Sequence, residues 1–186
     1  MKRVIPYVAS QFRKDKIWLR RTKPDKRTYQ VLLAIDDSKS MSENGCAMFA
    51  LEALTMMSRA MSRLDVGELG LLSFGGSGKQ KVLHPLGTPF TDSNGPKIMT
   101  QMHFDQDNLI EDRPMVDLIQ SLQEILDDAN RQHHTVHGRN QQLHQLVTII
   151  ADGRFHERNE LKRHAHELCS RPGLLVSFII LDNPQH

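Results

Sequence analysis

The chain has little of several things that would have narrowed its function at once. It has two cysteines in 186 residues, Cys46 and Cys169, with neither paired nor metal-ligand spacing. A disulfide-stapled secreted scaffold is therefore excluded, and the usage fits a reducing compartment in which cysteine is a small buried hydrophobe. No apolar run is long enough to span a bilayer; the longest, Gly173 to Leu181, is nine residues. The first residues, MKRVIPYVASQFRKDKIW, lack the continuous apolar core of a signal peptide. Glycine is absent from the turn IDDSKSM, and GGSGKQ has no Ser or Thr after its lysine, so neither is a phosphate-binding P-loop. Neither Ser38 nor Ser40 lies in the G-x-S-x-G of a hydrolase elbow.

What is present is an ordinary globular composition, 39% hydrophobic and 25% charged, in a length suited to one domain. The net charge of +2 conceals an asymmetry. Residues 13–27 hold eight Lys and Arg against Asp15 and Asp25, which leaves 16 basic and 20 acidic residues elsewhere, a net of −4. The reading is a basic N-terminal arm, residues 1–28, ahead of an acidic domain, residues 29–186. Such an arm could contact RNA, serve in nuclear import, or dock on the domain through Trp18 and Leu19.

YQVLLAI, Tyr29 to Ile35, is a near-continuous apolar run, as expected of a strand covered on both faces. GELGLLSFGG, LHQLVTIIADG and LLVSFIILD predict further strands, and QKVLHPL a short one hairpin-paired across the Gly-rich turn. Met48, Leu51, Leu54, Met57, Met61 and Leu64 recur at helical spacing and are expected inward, the methionines as core filler. A short helix is expected near Lys97 to His103, and a longer one from Pro114 with Met115, Leu118, Leu122, Ile125 and Ala129 buried. Arg131 to Gln142, nearly free of apolar residues, predicts an exposed loop. A last helix should bury Leu161, Ala165 and Leu168. The alternation predicts an α/β fold, a doubly wound, mostly parallel sheet with helices on both faces.

In such sheets ligands gather beyond the carboxyl ends of the strands. Asp36 and Asp152 both fall there. Asp36, Ser38 and Ser40 alternate, so the chain leaving the strand can aim all three at one point. Oxygen-only donors of this kind suit a hard divalent cation such as Mg²⁺, with Mn²⁺ or Ca²⁺ as substitutes. Two rival readings are capping of the next helix by Ser40 or Ser42 with Glu43, and Asp36 as a phosphatase nucleophile. His133, His134, His137, His164 and His166 have no partners at zinc-ligand spacing and read as solvated. A metal-dependent hydrolytic or phosphoryl-transfer enzyme would need a base, for which His84 or His156 could serve.

D-x-S-x-S after a buried strand, with a later strand ending in Asp-Gly, resembles the metal-ion-dependent adhesion site of von Willebrand factor A domains. The block PYVASQFRKDKIWLRRTKPDKRTYQVLLAIDDSKSMSEN, with LLSFGG, VLHPL, ADGR and FIILDNP, is more specifically similar to the C-terminal domain of the midasin family. These are dynein-related AAA-type ATPases of ribosome assembly. The resemblance implies a non-catalytic, Mg²⁺-dependent protein-binding module in the nucleus, spanning nucleolus and nucleoplasm. It would capture an acidic residue of ubiquitin-like domains on WD-repeat assembly factors, for their ATP-driven removal from large-subunit precursors of the pre-ribosomal particle. Ser38 and Ser40 are then direct ligands, with Asp36 and Asp152 acting directly or through water. Asp36, Ser38, Ser40 and Gly153 form the implied partner-binding set. Asp37 and Lys39 occupy variable positions and receive no ligand role. Two departures accompany the match. The family's threonine ligand has no counterpart in FDQDNLIEDRPM, where Asp107 or, in preference, Asp112 could substitute, or water alone. The related domains also continue past LDNPQH into a further strand and helix.

Overall fold

Val31 to Ile35 are almost wholly inaccessible, because the strand they form, β1 (Thr28–Asp36), is central and is covered on both faces. The computed structural model describes residues 28–64, 67–76, 80–91, 93–107, 113–137, 143–154 and 158–183. The basic arm up to residue 27 lies outside them. Asp36 closes β1, and after it come a short helix α1 (Lys39–Glu43) and the long α2 (Ala47–Arg63). Then follow β2 (Glu68–Phe74), β3 (Lys81–His84), α3 (Asn94–Met99), α4 (Pro114–His137), β4 (Leu143–Ala151), α5 (Arg158–Cys169) and β5 (Leu174–Ile180).

Among the described residues the strands form one sheet in the order β3-β2-β1-β4-β5. β1 pairs parallel with β2 and with β4, β4 pairs parallel with β5, and β3 is antiparallel to β2. This is the expected α/β sheet, including the hairpin across the Gly-rich turn. Alternation along β1 sends Val31, Leu33 and Ile35 into one core with α2 and α3. Leu32 and Ala34 enter a second core with α4 and α5. Two layers of helices therefore sandwich the sheet. The chain leaves β1 toward β2 on one side and later returns to β4 on the other, so strand order reverses between β1 and β4. That crevice is where a doubly wound sheet places ligands.

Several sequence expectations need correction. Arg131 to Gln142 is not a loop throughout, since α4 runs on to His137 and residues 138–142 lie outside the described set. A helix already nucleated extends through polar residues at little cost, so a lack of apolar residues does not end it. His133 continues the buried stripe of Leu122, Leu126 and Ala129, while Ile125 is only partly covered. The short helix lies at Asn94–Met99, earlier than expected. The fully buried line of α2 is Ala50, Leu54 and Ser58; Leu51, Met57 and Met61 flank it, and Met48 and Leu64 are exposed. Small residues let that helix lie close to the sheet, which displaces its bulky ones to the sides. Cys46 is buried as expected of a small hydrophobe, but Cys169 is exposed. In α5, Leu168 is buried, with Leu161 and Ala165 packed against the same core.

Candidate metal and partner site

The main chain at the end of β1 stays bound to its neighbours for three residues beyond the strand. Asp37 N donates to Phe74 O at 2.7 Å, and Lys39 N donates to Gln106 O at 2.9 Å. Between them, Ser38 forms an isolated parallel bridge with Gln106. The backbone carrying Asp36, Ser38 and Ser40 is thus fixed by contacts to two other segments.

Asp36 and Ser38 are buried, and Ser40, in the first turn of α1, is half-buried. Asp36 Oδ1 accepts from Ser38 N at 2.9 Å. The hydroxyls of Ser38 and Ser40 lie 3.0 Å apart. Ser38 is the N-cap of α1, yet its side chain makes no capping bond. Ser40 and Ser42 lie inside that helix, so the capping reading of these two serines fails. The hydroxyl of Ser38 faces Ser40, not the exposed N–H groups of the helix.

Gly75, just after β2, makes this arrangement possible. Its φ is +128°, and a Cβ there would stand 2.7 Å from both Asp36 Oδ1 and Ser38 N. The pair of glycines in SFGG therefore marks a close approach to the site and not only the end of a strand.

Burial raises the Asp36 carboxyl from its ordinary 3.8 to about 6. Hydrogen bonds from Ser38 oppose that shift, and the nearby charges of Asp152 and Asp37 add to it. Among the described residues no cationic group offsets the charge of the Asp36 carboxylate.

Asp152 follows β4 across the crevice. Its Oδ2 accepts from Asn44 Nδ2 at 3.1 Å and its Oδ1 from Arg154 N at 3.1 Å. Arg154 Nε is 4.0 Å from the same carboxylate, and Arg154 Nη2 donates to Asn44 Oδ1 at 2.7 Å. Gly153, with φ +78°, lets the chain turn sharply beside it. Asn44 and Arg154 were not found by sequence reasoning. The arginine of ADGR was the visible signal.

Asp37, which pattern reading left without a role, proves to be the organiser. It is 1% exposed. Its Oδ1 accepts from the backbone N–H groups of His103, at 3.0 Å, and Phe104, at 2.8 Å. Gln106 Nε2 donates to its Oδ2 at 3.2 Å. Phe104 takes a left-handed φ of 52°, unusual for a bulky residue, and this carboxylate holds the two N–H groups that lead into the strained position.

Asp107 sits on the rim, ion-paired with Lys39 at 3.3 Å, and no described contact brings it to Asp36 or the serines. Asp112 lies outside the described residues. So does His156. The ring of His84 is bonded through Nε2 to Thr88 O at 3.0 Å and packs edge-on against Phe90. Among the described residues no three His, Cys, Asp or Glu side chains come together in a metal-holding group. The donors at the end of β1 are instead hydroxyls and two carboxylates from different strands. An oxygen-only set with a buried carboxylate short of counter-charge fits a hard divalent cation and does not fit zinc.

No family model matches the chain. It is 45% identical over 185 residues to midasin of Dictyostelium discoideum, covering 99% of this chain and 3% of that protein. It is 38% identical over 182 residues to midasin of Giardia intestinalis, covering 98% of this chain and 4% of that protein. The chain belongs to the midasin family. It spans only a few per cent of the length of those relatives. Its fold is similar to that of the manganese-loaded TRAP protein of Plasmodium vivax, with TM-score 0.62 and 19% identity over 86% of this chain and 60% of that one. A von Willebrand factor type A structure from Catenulispora acidiphila gives TM-score 0.53 and 14% identity over 82% of this chain and 33% of that one. The midasin-family domain described here therefore has the von Willebrand factor A fold.

Proposed function

We propose that this domain is a non-catalytic, divalent-cation-dependent module that captures an acidic side chain of a partner protein at the β1/β4 crevice. The observation that carries the proposal is the convergence of Ser38 and Ser40, 3.0 Å apart, on the same strand end as the buried Asp36. Asp36, Ser38, Ser40 and Asp152 are the residues that would hold Mg²⁺, with Mn²⁺ or Ca²⁺ as substitutes. When bound, the cation offers a coordination position that a partner carboxylate oxygen can fill in place of water.

The chain's own residues supply the rest. Asp37 and Gln106 hold the loop after α3 in place, and Asn44 holds Asp152. Arg154 sits at the rim, where a cationic group favours an approaching carboxylate. His84, the one described candidate for a catalytic base, has its ring engaged by Thr88 and Phe90, which favours binding over turnover.

The membership in the midasin family supports a partner class. We read the partners as ubiquitin-like domains of WD-repeat assembly factors on large-subunit ribosomal precursors in the nucleus, released by the ATPase activity of the whole protein. Calorimetric titration of such a domain into this one, first in Mg²⁺ and then in EDTA, tests the reading. Heat of binding in Mg²⁺ that disappears in EDTA, and on replacing the partner's acidic residue by alanine, is the expected result. Binding indifferent to both changes would refute it.

A further inference from the structure

The outward side of α2 carries an apolar groove that the cation site does not use. A cavity of about 370 Å³ between α2 and α3 is walled by Leu54, Leu71, Phe90 and Ile98. A shallower depression of about 790 Å³ continues from it past Met56 to Leu64, and the two share Thr55, Arg59 and Met99. Met56 is 69% exposed and Leu64 is 72% exposed. Met48, Met56, Leu64 and Met99 line this one depression and are all exposed, and an uncovered apolar patch of this kind marks a contact surface. Methionines make such a surface adaptable in shape.

The position of the groove identifies an occupant. Its far end, at Leu64, lies three residues before Gly67. The backbone of Gly67 runs so close to β1 that a Cβ there would stand 2.1 Å from Tyr29 O. In the next step of the ladder, Gln30 pairs with Glu68. The 27 residues that precede Thr28 therefore join the domain beside the open end of the groove. Trp18 is ten residues upstream of Thr28, a reach of up to roughly 33 Å in extended chain. The 17 residues of α2 span roughly 26 Å. Ile17, Trp18 and Leu19 form an apolar trio inside the basic arm. Tethering gives such a segment an effective concentration on the order of millimolar at the groove.

Charge fixes the manner of contact. The groove offers Glu52 at one end and Arg59 and Arg63 toward the other. The basic residues of the arm would gain nothing from those arginines, whereas an indole ring can lie against a guanidinium such as that of Arg59.

We propose that the N-terminal arm docks intramolecularly through Ile17, Trp18 and Leu19 into the Met56–Leu64 groove of α2, presenting its basic residues outward beside the domain. Trp18 is the single tryptophan of the chain, so its fluorescence reports the docking directly. In the 186-residue chain the expected emission is blue-shifted and shielded from acrylamide. The double substitution Met56→Glu and Leu64→Glu, at exposed positions, should shift it to the red and raise quenching, with far-UV circular dichroism unchanged. Asp36→Ala should leave it untouched, which separates this proposal from the one about the cation site. Emission typical of exposed indole in the unsubstituted chain would overturn the proposal. So would shielded emission that ignores the two glutamates, since the arm would then dock elsewhere. Sedimentation supplies the last outcome: a dimer broken by the two glutamates, with Trp18 exposed throughout, would make a second copy the occupant and refute the arm.

Discussion

The two ends of β1 treat buried polar groups in opposite ways. At the amino end, Gln30 Nε2 donates to Glu68 Oε2 at 2.9 Å, and Gln145 Nε2 donates to Gln30 Oε1 at 2.9 Å and to Leu126 O at 3.3 Å. That row ties β2, β1 and β4 together with donors matched to acceptors. At the carboxyl end, Asp36 and the serines that follow it, Ser38 and Ser40, bring oxygen atoms together, with Asp152 close enough across the crevice to raise the Asp36 carboxyl. Asp36 titrates near 6 there because burial disfavours its charge. One end is closed and serves stability. The other leaves Asp36 short of positive charge, which is what the proposed cation would supply.

Removing the hydroxyls should blur this contrast most. Ser38→Ala with Ser40→Ala should weaken cation-dependent partner capture by at least ~100-fold, the upper end of what losing outer-shell partners alone costs a metal site. Thermal unfolding without metal should barely move, because neither hydroxyl caps α1. Calorimetry and a melting curve on the same sample would read both.

The largest effect on stability itself belongs to Asp37→Ala. It strips a buried carboxylate from two backbone N–H groups and from Gln106, and should cost about 4 kcal/mol in urea unfolding. A loss under about 1 kcal/mol would mean that the loop holding Gln106 is fixed by something else.

Asp36→Asn should do the reverse in the absence of metal. The folded-state carboxyl titrates near 6 and the unfolded one near 3.8. The fold thus favours the protonated form, and that contribution is complete below 3.8 and lost as pH rises through 6. At pH 8 the substitution should raise metal-free stability by about 3 kcal/mol, and near pH 3.5 by almost nothing. In the unsubstituted chain Mg²⁺ should restore at pH 8 much of what the buried charge removes. A stability gain that is flat from pH 3.5 to 8 would contradict the burial account.

The smallest effect belongs to the closed end. Gln145→Leu leaves Gln30 Oε1 without its partner and should cost about 1 kcal/mol, with no change in cation binding.

How far this contrast could be seen in the sequence depended on the kind of signal. YQVLLAI and LHQLVTIIA announced buried parallel strands because a short, continuous apolar run is stable only when both of its faces are covered. Asp36 and Asp152 followed as strand-end carboxylates. Ser38 and Ser40 were visible through their spacing. Asp37 was not, because its work lies in hydrogen bonds to His103 and Phe104, 66 and 67 residues away, which no local pattern encodes. Gly75 and Gly76 looked like strand terminators, whereas a Cβ at either would collide with Asp36 or Gln106. Met48 and Leu64 of α2 misled for a related reason, while Met57 and Met61 pack against the core as expected. Periodicity shows that a helix has an apolar side, but not how wide a strip of it the sheet can cover. Ala50, Leu54 and Ser58 took the contact, and Met48 and Leu64 stayed exposed.

Whether the carboxyl end of β1 holds a cation is decided by a Mn²⁺ titration of the domain near pH 7.5, followed by electron paramagnetic resonance of the free ion. Saturable binding of one Mn²⁺ per chain is expected, displaced by excess Mg²⁺ and abolished by Asp36→Ala or by the paired serine substitutions. Failure to bind, or binding unchanged in those variants, would contradict the cation site and leave this end of the strand as an unusually costly piece of structure.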